Sequence, residues 1–382
     1  METRIYLDNS ATTKVSDEVL EAVLPWLREG YGNASSIYTL GRKSAMALSN
    51  ARRECSTLLG ADPSEIIFTS GGTEGNNFAL KQSAQLMREK GKNHIISTRI
   101  EHPSVLECLK RLERDGFKIT LLPVDENGRV STERLRAAIT PDTGLVSVMY
   151  VNNELGTIEP VSEIGEICRN NGIIFHTDAV QGVGNVPVDV RALNVDILTL
   201  SGHKIHGLKG TGLIYINKKL PLPALMEGGK QELGKRAGTE NIPGIVGLSL
   251  ALRNATEKLS EKSEKLSALR NAIRKGISDI PEAYINGGEY CVNNILNVSF
   301  GDIESEALIL QLDLKGIAVS GGSACASGAI EPSHVLTAIG LDGKRAKGSI
   351  RISMSEYTTS EEIEEFLKIL PETVEKLRKL RG

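Results

Sequence analysis

The 382-residue chain has no apolar run long enough to cross a bilayer, which excludes a membrane-spanning helix. Its charges nearly cancel: 45 Lys and Arg stand against 48 Asp and Glu, a formal net charge of −3. That balance gives no electrostatic case for nucleic acid or an anionic membrane as partner. Met1-Glu2-Thr3-Arg4 leads straight into strand-like residues, without the apolar stretch of a signal peptide. Cysteine is sparse and scattered: Cys55, Cys108, Cys168, Cys291 and Cys325. An odd set with no Cys-x-x-Cys excludes a disulfide framework and a thiolate zinc site, and it fits a reducing cytoplasm. There is no Walker A loop, no G-x-G-x-x-G, no repeat and no low-complexity tail, which counts against a nucleotide-binding protein and a repeat architecture. Aromatic residues make up only 4%.

What is present is ordinary for a soluble globular protein: 40% apolar and 24% charged residues. At about 150 residues per domain the length allows two or three domains, or one large domain with an appendage. The 38 glycines point to tight turns and close backbone–ligand approach. From about residue 60 to 220, short apolar runs alternate with helical stretches. Strands are expected at 65–69, 94–98, 145–151, 173–177, 195–200 and 212–216. Near-continuous apolar strands separated by helices predict an α/β fold, with a mainly parallel sheet covered on both faces. Past residue 250 the pattern changes. A helix carries Leu259, Leu266, Leu269, Ile273 and Ile277 on one stripe, strands are expected at 294–300 and 350–353, and a last helix follows. Thr358 with Glu361 is the expected capping box of that helix, and Pro371 is expected to kink or break it. The expected division is a large domain over 13–250 and a small α+β domain over 251–382, with 1–12 packing on the small one.

Four short segments could carry chemistry. Ser70-Gly-Gly-Thr-Glu74 follows a strand and opens a helix, and its backbone N–H groups, glycines and hydroxyl make an anion cradle. Asp178 ends a strand, where open α/β sheets bind ligands; the plainer reading is a helix cap. Lys204, in Ser201-Gly-His-Lys204, also follows a strand end; it is either a solvated loop lysine or a Schiff-base lysine. His203 and His206 have metal-like spacing, but no carboxylate or thiol cluster completes a site, so no metal is expected. Together the cradle, the carboxylate and the lysine suit pyridoxal 5′-phosphate (PLP): phosphate anchor, partner of the ring nitrogen and holder of the aldehyde. Cys325 lies at the centre of Ser320-Gly-Gly-Ser-Ala-Cys-Ala-Ser-Gly328, a Gly/Ser/Ala-rich stretch unsuited to core packing, and reads as a mobile nucleophile.

At this level of detail the chain resembles the NifS/IscS-type cysteine desulfurases, which are fold-type I PLP enzymes of the class-V aminotransferase family. The resemblance runs nearly end to end. It is carried by Tyr6-Leu-Asp-Asn-Ser-Ala-Thr-Thr13, Thr69-Ser-Gly-Gly-Thr-Glu74, Glu101-His102, Asn152-Asn-Glu-Leu-Gly-Thr157 and Asp178-Ala-Val-Gln181. It continues through Ser201-Gly-His-Lys204, Arg236-Ala-Gly-Thr-Glu-Asn241 and Gly322-Ser-Ala-Cys-Ala-Ser327. The stretch around Cys325, followed by Glu331-Pro-Ser-His-Val-Leu336, looks like the long-loop group of the family, which suits handing sulfur directly to another protein.

The resemblance implies roles for individual residues. Lys204 bonds the cofactor aldehyde, Asp178 pairs with the pyridine nitrogen, and His102 stacks on the ring, relays protons and is the candidate to help ionise Cys325. Gln181 and Asn153 stand near the ring hydroxyl and the substrate. Gly72, Thr73, Ser201 and His203 hold the phosphate, and Thr239 reaches the phosphate of a partner subunit, which implies a homodimer. Arg351 clamps the substrate carboxylate, a task that suits a bidentate guanidinium. The implied activity converts L-cysteine to L-alanine, with the sulfur taken by Cys325 as a persulfide. It then passes to an acceptor such as an iron–sulfur scaffold or a tRNA-thiolation enzyme. A selenocysteine lyase or an aminotransferase of the same fold is the competing enzyme reading; Cys325 speaks against the latter, because transamination needs no thiol. A non-catalytic sulfur carrier would leave Lys204, Asp178 and the cradle without a purpose. Ala34, Tyr38, Leu208, Lys230 and Ser355-Glu356 depart from the common family pattern, the last replacing a usual Gly-Arg.

Overall fold

A computed structural model describes residues 5–321 and 332–380. Cys325 lies outside the described residues. The strands, in chain order, are β1 (Ile5–Tyr6), β2 (Ile66–Thr69), β3 (His94–Thr98), β4 (Lys118–Leu122), β5 (Thr143–Ser147), β6 (Ile174–Asp178), β7 (Ile197–Ser201) and β8 (Gly212–Ile216). They continue with β9 (Ala283–Asn286), β10 (Ile295–Phe300), β11 (Ile317–Ala318), β12 (Ser320–Gly321) and β13 (Ser349–Ser353). The helices are α1 (Asp17–Arg28), α2 (Thr39–Leu58), α3 (Gly72–Glu89), α4 (Pro103–Arg114), α5 (Thr132–Ala138) and α6 (Val161–Asn170). After them come α7 (Ile242–Glu257), α8 (Leu259–Ser278), α9 (Ser305–Leu314), α10 (His334–Ala338), α11 (Gly343–Lys347) and α12 (Ser360–Lys379).

Seven strands form one sheet in the order β2-β8-β7-β6-β5-β3-β4. The run from β4 to β7 is parallel, and only β8 runs against its neighbours. β2, β3, β5, β7 and β8 are buried along their whole length, so both faces are covered and the strands read as continuous apolar runs. The fold is α/β with a mixed, mainly parallel central sheet, as expected. Parallel neighbours place β3, β5, β6 and β7 with their C-terminal ends along one edge, where their following loops converge.

A second core gathers Leu7 with residues from Leu266 to Val374 around the sheet β12-β13-β10-β9. Of the stripe expected on α8, Leu266, Leu269, Ile273 and Ile277 are buried, and Leu259 at the helix start is half-buried. β1 pairs in parallel with β11, and Asp8 bridges to Ser353 at the end of β13. Residues 5–8 are therefore built into this second core, after which Ser10–Thr13 cross to the lysine turn of the first.

Two expectations are corrected, and one strand carries no sequence signal: β4 is an edge strand with Lys118 and Leu121 exposed, and so lacks a continuous apolar run. The capping box of α12 is formed by Thr359 and Glu362, one residue later than expected; the Thr358 hydroxyl instead accepts from the Ser355 N–H at 3.0 Å. α12 also runs unbroken through Pro371. Ile363, Phe366, Leu370 and Val374 on both sides of the proline are buried in one core, and that shared burial outweighs the one lost backbone bond.

Glu356, the departure from the usual Gly-Arg, faces inward. It lies 3.2 Å from His206 Nε2 and 3.5 Å from Lys262 Nζ, while His206 donates from Nδ1 to the Lys14 carbonyl at 2.8 Å. Burial, the largest effect, raises its carboxyl, but the contact with His206 and the charge of Lys262 hold it down at about 2. Glu356 thus ties the end of β13 to the lysine turn, and His206 is spent on that contact.

Candidate active site

β7 ends at Ser201 and runs into the turn Gly202–Lys204. The Lys204 amine donates to the carbonyls of Ser10 and Ala11, the latter at 2.8 Å. The Gln181 amide donates to the same Ser10 carbonyl at 2.9 Å. One carbonyl of the crossing segment therefore places Gln181 beside Lys204. His203 lies next to Thr12, with Nδ1 3.1 Å from its Oγ1. Burial, then the charges of Lys204 and Lys209, push the His203 imidazole down to about 4, so it is neutral at physiological pH.

Asp178 ends β6 and is buried. Its Oδ1 accepts from the Val180 N–H at 3.0 Å and its Oδ2 from the Asn76 amide at 2.6 Å. Both of its oxygens therefore act as acceptors. His102 caps α4 and accepts the Ser104 N–H on Nδ1. Burial chiefly lowers its pKa; Asp178 opposes this, while Lys204 and His334 add to it.

The anion cradle is the start of α3. Its N-cap is Gly71, with no side-chain cap for the first-turn amides. Unpartnered amides at the N-terminus of an 18-residue helix carry partial positive charge. A Cβ on Gly72 would sit 2.7 Å from Val180, beside the Asp178 turn, and one on Gly212 would sit 2.6 Å from Gly71 Cα. Glycine is required at both places for this packing. Ser201 borders the same cradle, and Thr73 is exposed at its rim.

Arg351 lies on β13, almost wholly buried. It donates to Asp8 Oδ1 at 2.8 Å and to the Asn153 carbonyl at 2.9 Å. The Asn153 loop is held by Asn152, whose Oδ1 accepts from the N–H groups of Glu154 and Leu155 at 2.9 Å and whose Nδ2 donates to the Ile100 carbonyl at 3.1 Å. The loop carrying Asn153 is thereby tied to Ile100, two residues before His102. Ser320 is the register partner of Arg351, so the strand leading toward Cys325 starts beside the arginine. On the far side of that segment, the Ser333 hydroxyl donates to Glu154 and His334 donates from Nε2 to the Glu101 carbonyl at 3.0 Å. Both anchors of the Cys325 segment therefore stand at the site.

The structure thus gathers Lys204, Asp178, Gln181, His102, Ser201, His203, Gly72, Asn153 and Arg351. Thr239 is not among them: it is exposed, on a stretch tied to α3 through the Arg236–Glu74 ion pair at 2.9 Å. Sequence reasoning missed Asn76, Ser104, Asp8, Glu154, Ser333 and His334. Asp8, Glu154, Ser333 and His334 sit inside the motifs named above, but their residue types alone did not mark these contacts. Asn76 and Ser104, ordinary helix residues, gave none.

Three buried carboxyls frame this end of the molecule. Burial pushes Glu101 up to about 8, Glu159 to about 8 and Glu154 to about 7. Each folded value lies above the unfolded one near 4.5, so each contributes stability that is complete below that value and is lost as pH rises to the folded value. The slope is at most about 1.4 kcal/mol per pH unit for each carboxyl. The Glu101 Oε1 accepts from Thr98 at 2.7 Å and from the Met149 N–H at 3.0 Å. Glu101→Gln keeps that oxygen and removes the titration. The variant is expected to match the parent near pH 4.5 and to melt progressively higher than the parent as pH rises to 8.5. Thermal unfolding across this range checks it, and equal pH slopes would show that Glu101 is already ionised at neutral pH.

The geometry can be set beside known proteins. The chain matches the model of the class-V aminotransferase family over residues 5–366. It is 50% identical to a cysteine desulfurase IscS of Methanosarcina thermophila over 378 residues, 98% of this chain and 93% of that protein. A solved structure described as a NifS-like protein superposes with a TM-score of 0.93 at 42% identity, covering 98% of this chain and 100% of that one. A structure of SspA in complex with cysteine gives a TM-score of 0.83 at 36% identity, over 94% of this chain and all of that one. The chain therefore belongs to the class-V aminotransferase family and, within it, to the NifS/IscS cysteine desulfurases.

Proposed function

We propose that this protein converts L-cysteine to L-alanine with PLP as cofactor, Cys325 taking the sulfur as a persulfide and passing it to an acceptor protein. The observation that carries the reading is the convergence of three groups on one strand edge: the Lys204 amine, the Asp178 carboxylate and the uncapped start of α3. The residues fit the cofactor. The free amides at Gly72 and Thr73, with Ser201 and neutral His203, suit its phosphate. Asp178, held as an acceptor by Asn76 and Val180, suits a protonated pyridine nitrogen. Lys204 would hold the aldehyde, and Gln181 would serve the ring hydroxyl.

When bound, the cofactor draws electron density from the substrate α-carbon and weakens the bonds around it. The protein does the rest. Arg351 binds the substrate carboxylate; Asp8 and the Asn153 carbonyl fix the plane of its guanidinium. The Lys204 amine removes the proton from the α-carbon. The Cys325 sulfur attacks the substrate sulfur, the C–S bond breaks, and the methyl carbon of alanine gains the proton. Cysteine and one protein thiol become alanine and one persulfide, so no oxidant is required. In this reading residues 13–250 hold the cofactor and 251–382 bring Arg351 and Cys325 to it. A second copy of the chain supplies Thr239 to the phosphate site, and an iron–sulfur scaffold or a tRNA-thiolation enzyme receives the sulfur.

Alanine formed by the PLP-loaded protein from L-cysteine and a dithiol tests the proposal. One sulfide per alanine is the expected result. Pyruvate in place of alanine, or no product, would overturn it, and a colourless protein that fails to take up PLP would favour a carrier.

A further inference from the structure

His102 has two ring nitrogens, and the surrounding hydrogen bonds decide which one carries the proton. Nδ1 lies 3.1 Å from the Ser104 backbone nitrogen and 2.8 Å from the Ser104 Oγ. A backbone amide can only donate, so Nδ1 presents its lone pair there. The serine hydroxyl donates to the same nitrogen, because a ring nitrogen that accepts from the amide has no hydrogen to give, and its oxygen accepts from the Asn76 amide at 2.9 Å. The Asn76 orientation is fixed in turn: the same NH₂ group donates to Asp178 Oδ2 at 2.6 Å, where a flipped amide would set its oxygen against a carboxylate. Each bond in the series has one direction, from Asn76 to Asp178 and Ser104, and from Ser104 to His102. Asn76 is buried, so water does not compete for its hydrogens.

We propose that Asn76 and Ser104 are positioning residues that hold His102 as the Nε2–H tautomer, making it a hydrogen-bond donor, and not a base, toward the substrate side of the site. The inference rests on the desulfurase reading for its consequence, though not for its geometry. The charged and titratable groups that face His102 are Asp178, Lys204 and His334; burial chiefly lowers the proton affinity of the ring, Lys204 and His334 add to it, and the carboxylate opposes them. A ring whose Nε2 already bears hydrogen cannot take the Cys325 proton at that atom, in contrast to the role the sequence suggested. Lys204 remains as the base, and His102 steadies an accepting atom of the substrate.

The test uses the holoenzyme with ring-¹⁵N histidine. Six histidines give a spectrum simple enough to assign, with His102→Gln identifying the signal. The expected parent signal shows hydrogen on Nε2 and none on Nδ1 between about pH 6 and 9. Ser104→Ala removes one donor to the neutral ring and is expected to raise the His102 titration by roughly 0.5 to 1 pH unit. The acid limb of kcat/KM should move with it. Ser104→Thr, which keeps the hydroxyl, should restore the parent titration. Hydrogen on Nδ1 in the parent, or a Ser104→Ala titration identical to the parent's, overturns the proposal. A parent with the Nε2–H signal that makes no alanine refutes the desulfurase reading while upholding the tautomer.

Discussion

Lys204→Ala is expected to lower alanine formation by on the order of 10⁴-fold or more, because one amine both holds the cofactor and moves the α-proton. The fold should survive. The Ser10 carbonyl keeps its bond from Gln181, and the Ala11 carbonyl, at a half-buried position, can turn to water. Losing these two bonds costs about 1 kcal/mol each, a minor part of the stability of a domain. The variant should therefore melt close to the parent yet lose the yellow colour of lysine-held PLP. Absorbance after gel filtration reads the colour, and amino-acid analysis reads the alanine. Turnover above about 1% of the parent would mean that another group removes the α-proton. With the His102 Nε2 already bearing hydrogen, the neutral His203, next to Lys204 in the same turn, is the imidazole left there, and its proton affinity is lowered.

Much of this site was legible because its chemistry sits at strand ends. The runs 94–98 and 212–216 match β3 and β8 residue for residue, since strands buried on both faces leave an unbroken apolar signature. Asp178 and Lys204 stand at the ends of such strands, so residue type and position together announced them. β4 escaped for the opposite reason, being an edge strand with two exposed side chains. What stayed hidden is the means of holding the groups in place. The carbonyls of Ser10 and Ala11 act through backbone, which leaves no mark on side-chain type. Asn76 and Ser104 act from the first turns of α3 and α4, where small polar residues are common for local reasons. Asp8 reaches Arg351 across more than 340 residues, a pairing that no local pattern contains.

Cys325→Ser is expected to separate the two halves of the reaction that Lys204→Ala abolishes together. The residues that flank the Cys325 segment are held without the thiol: Ser320 by its pairing with Arg351, Ser333 by Glu154 and His334 by the Glu101 carbonyl. The substitution removes none of these contacts and none of those around Lys204. PLP and L-cysteine should bind as in the parent, giving the same colour and the same spectral response to substrate. Sulfide release should fall to below about 1%, because a thiol near pKa 8.5 is a few per cent thiolate at neutral pH whereas a serine hydroxyl is essentially un-ionised. Mass spectrometry should find a 32-Da adduct on the parent (about the mass of one sulfur atom) and none on the variant. Substantial sulfide from the variant would require another nucleophile in the chain. Burial pushes Cys55 up to about 12 and Cys108 up to about 11, and raises Cys168 further, so none of these forms a thiolate. Cys291 is half-buried and is the one described thiol left. A Cys325→Ser, Cys291→Ser double variant that still released sulfide would overturn the persulfide route itself.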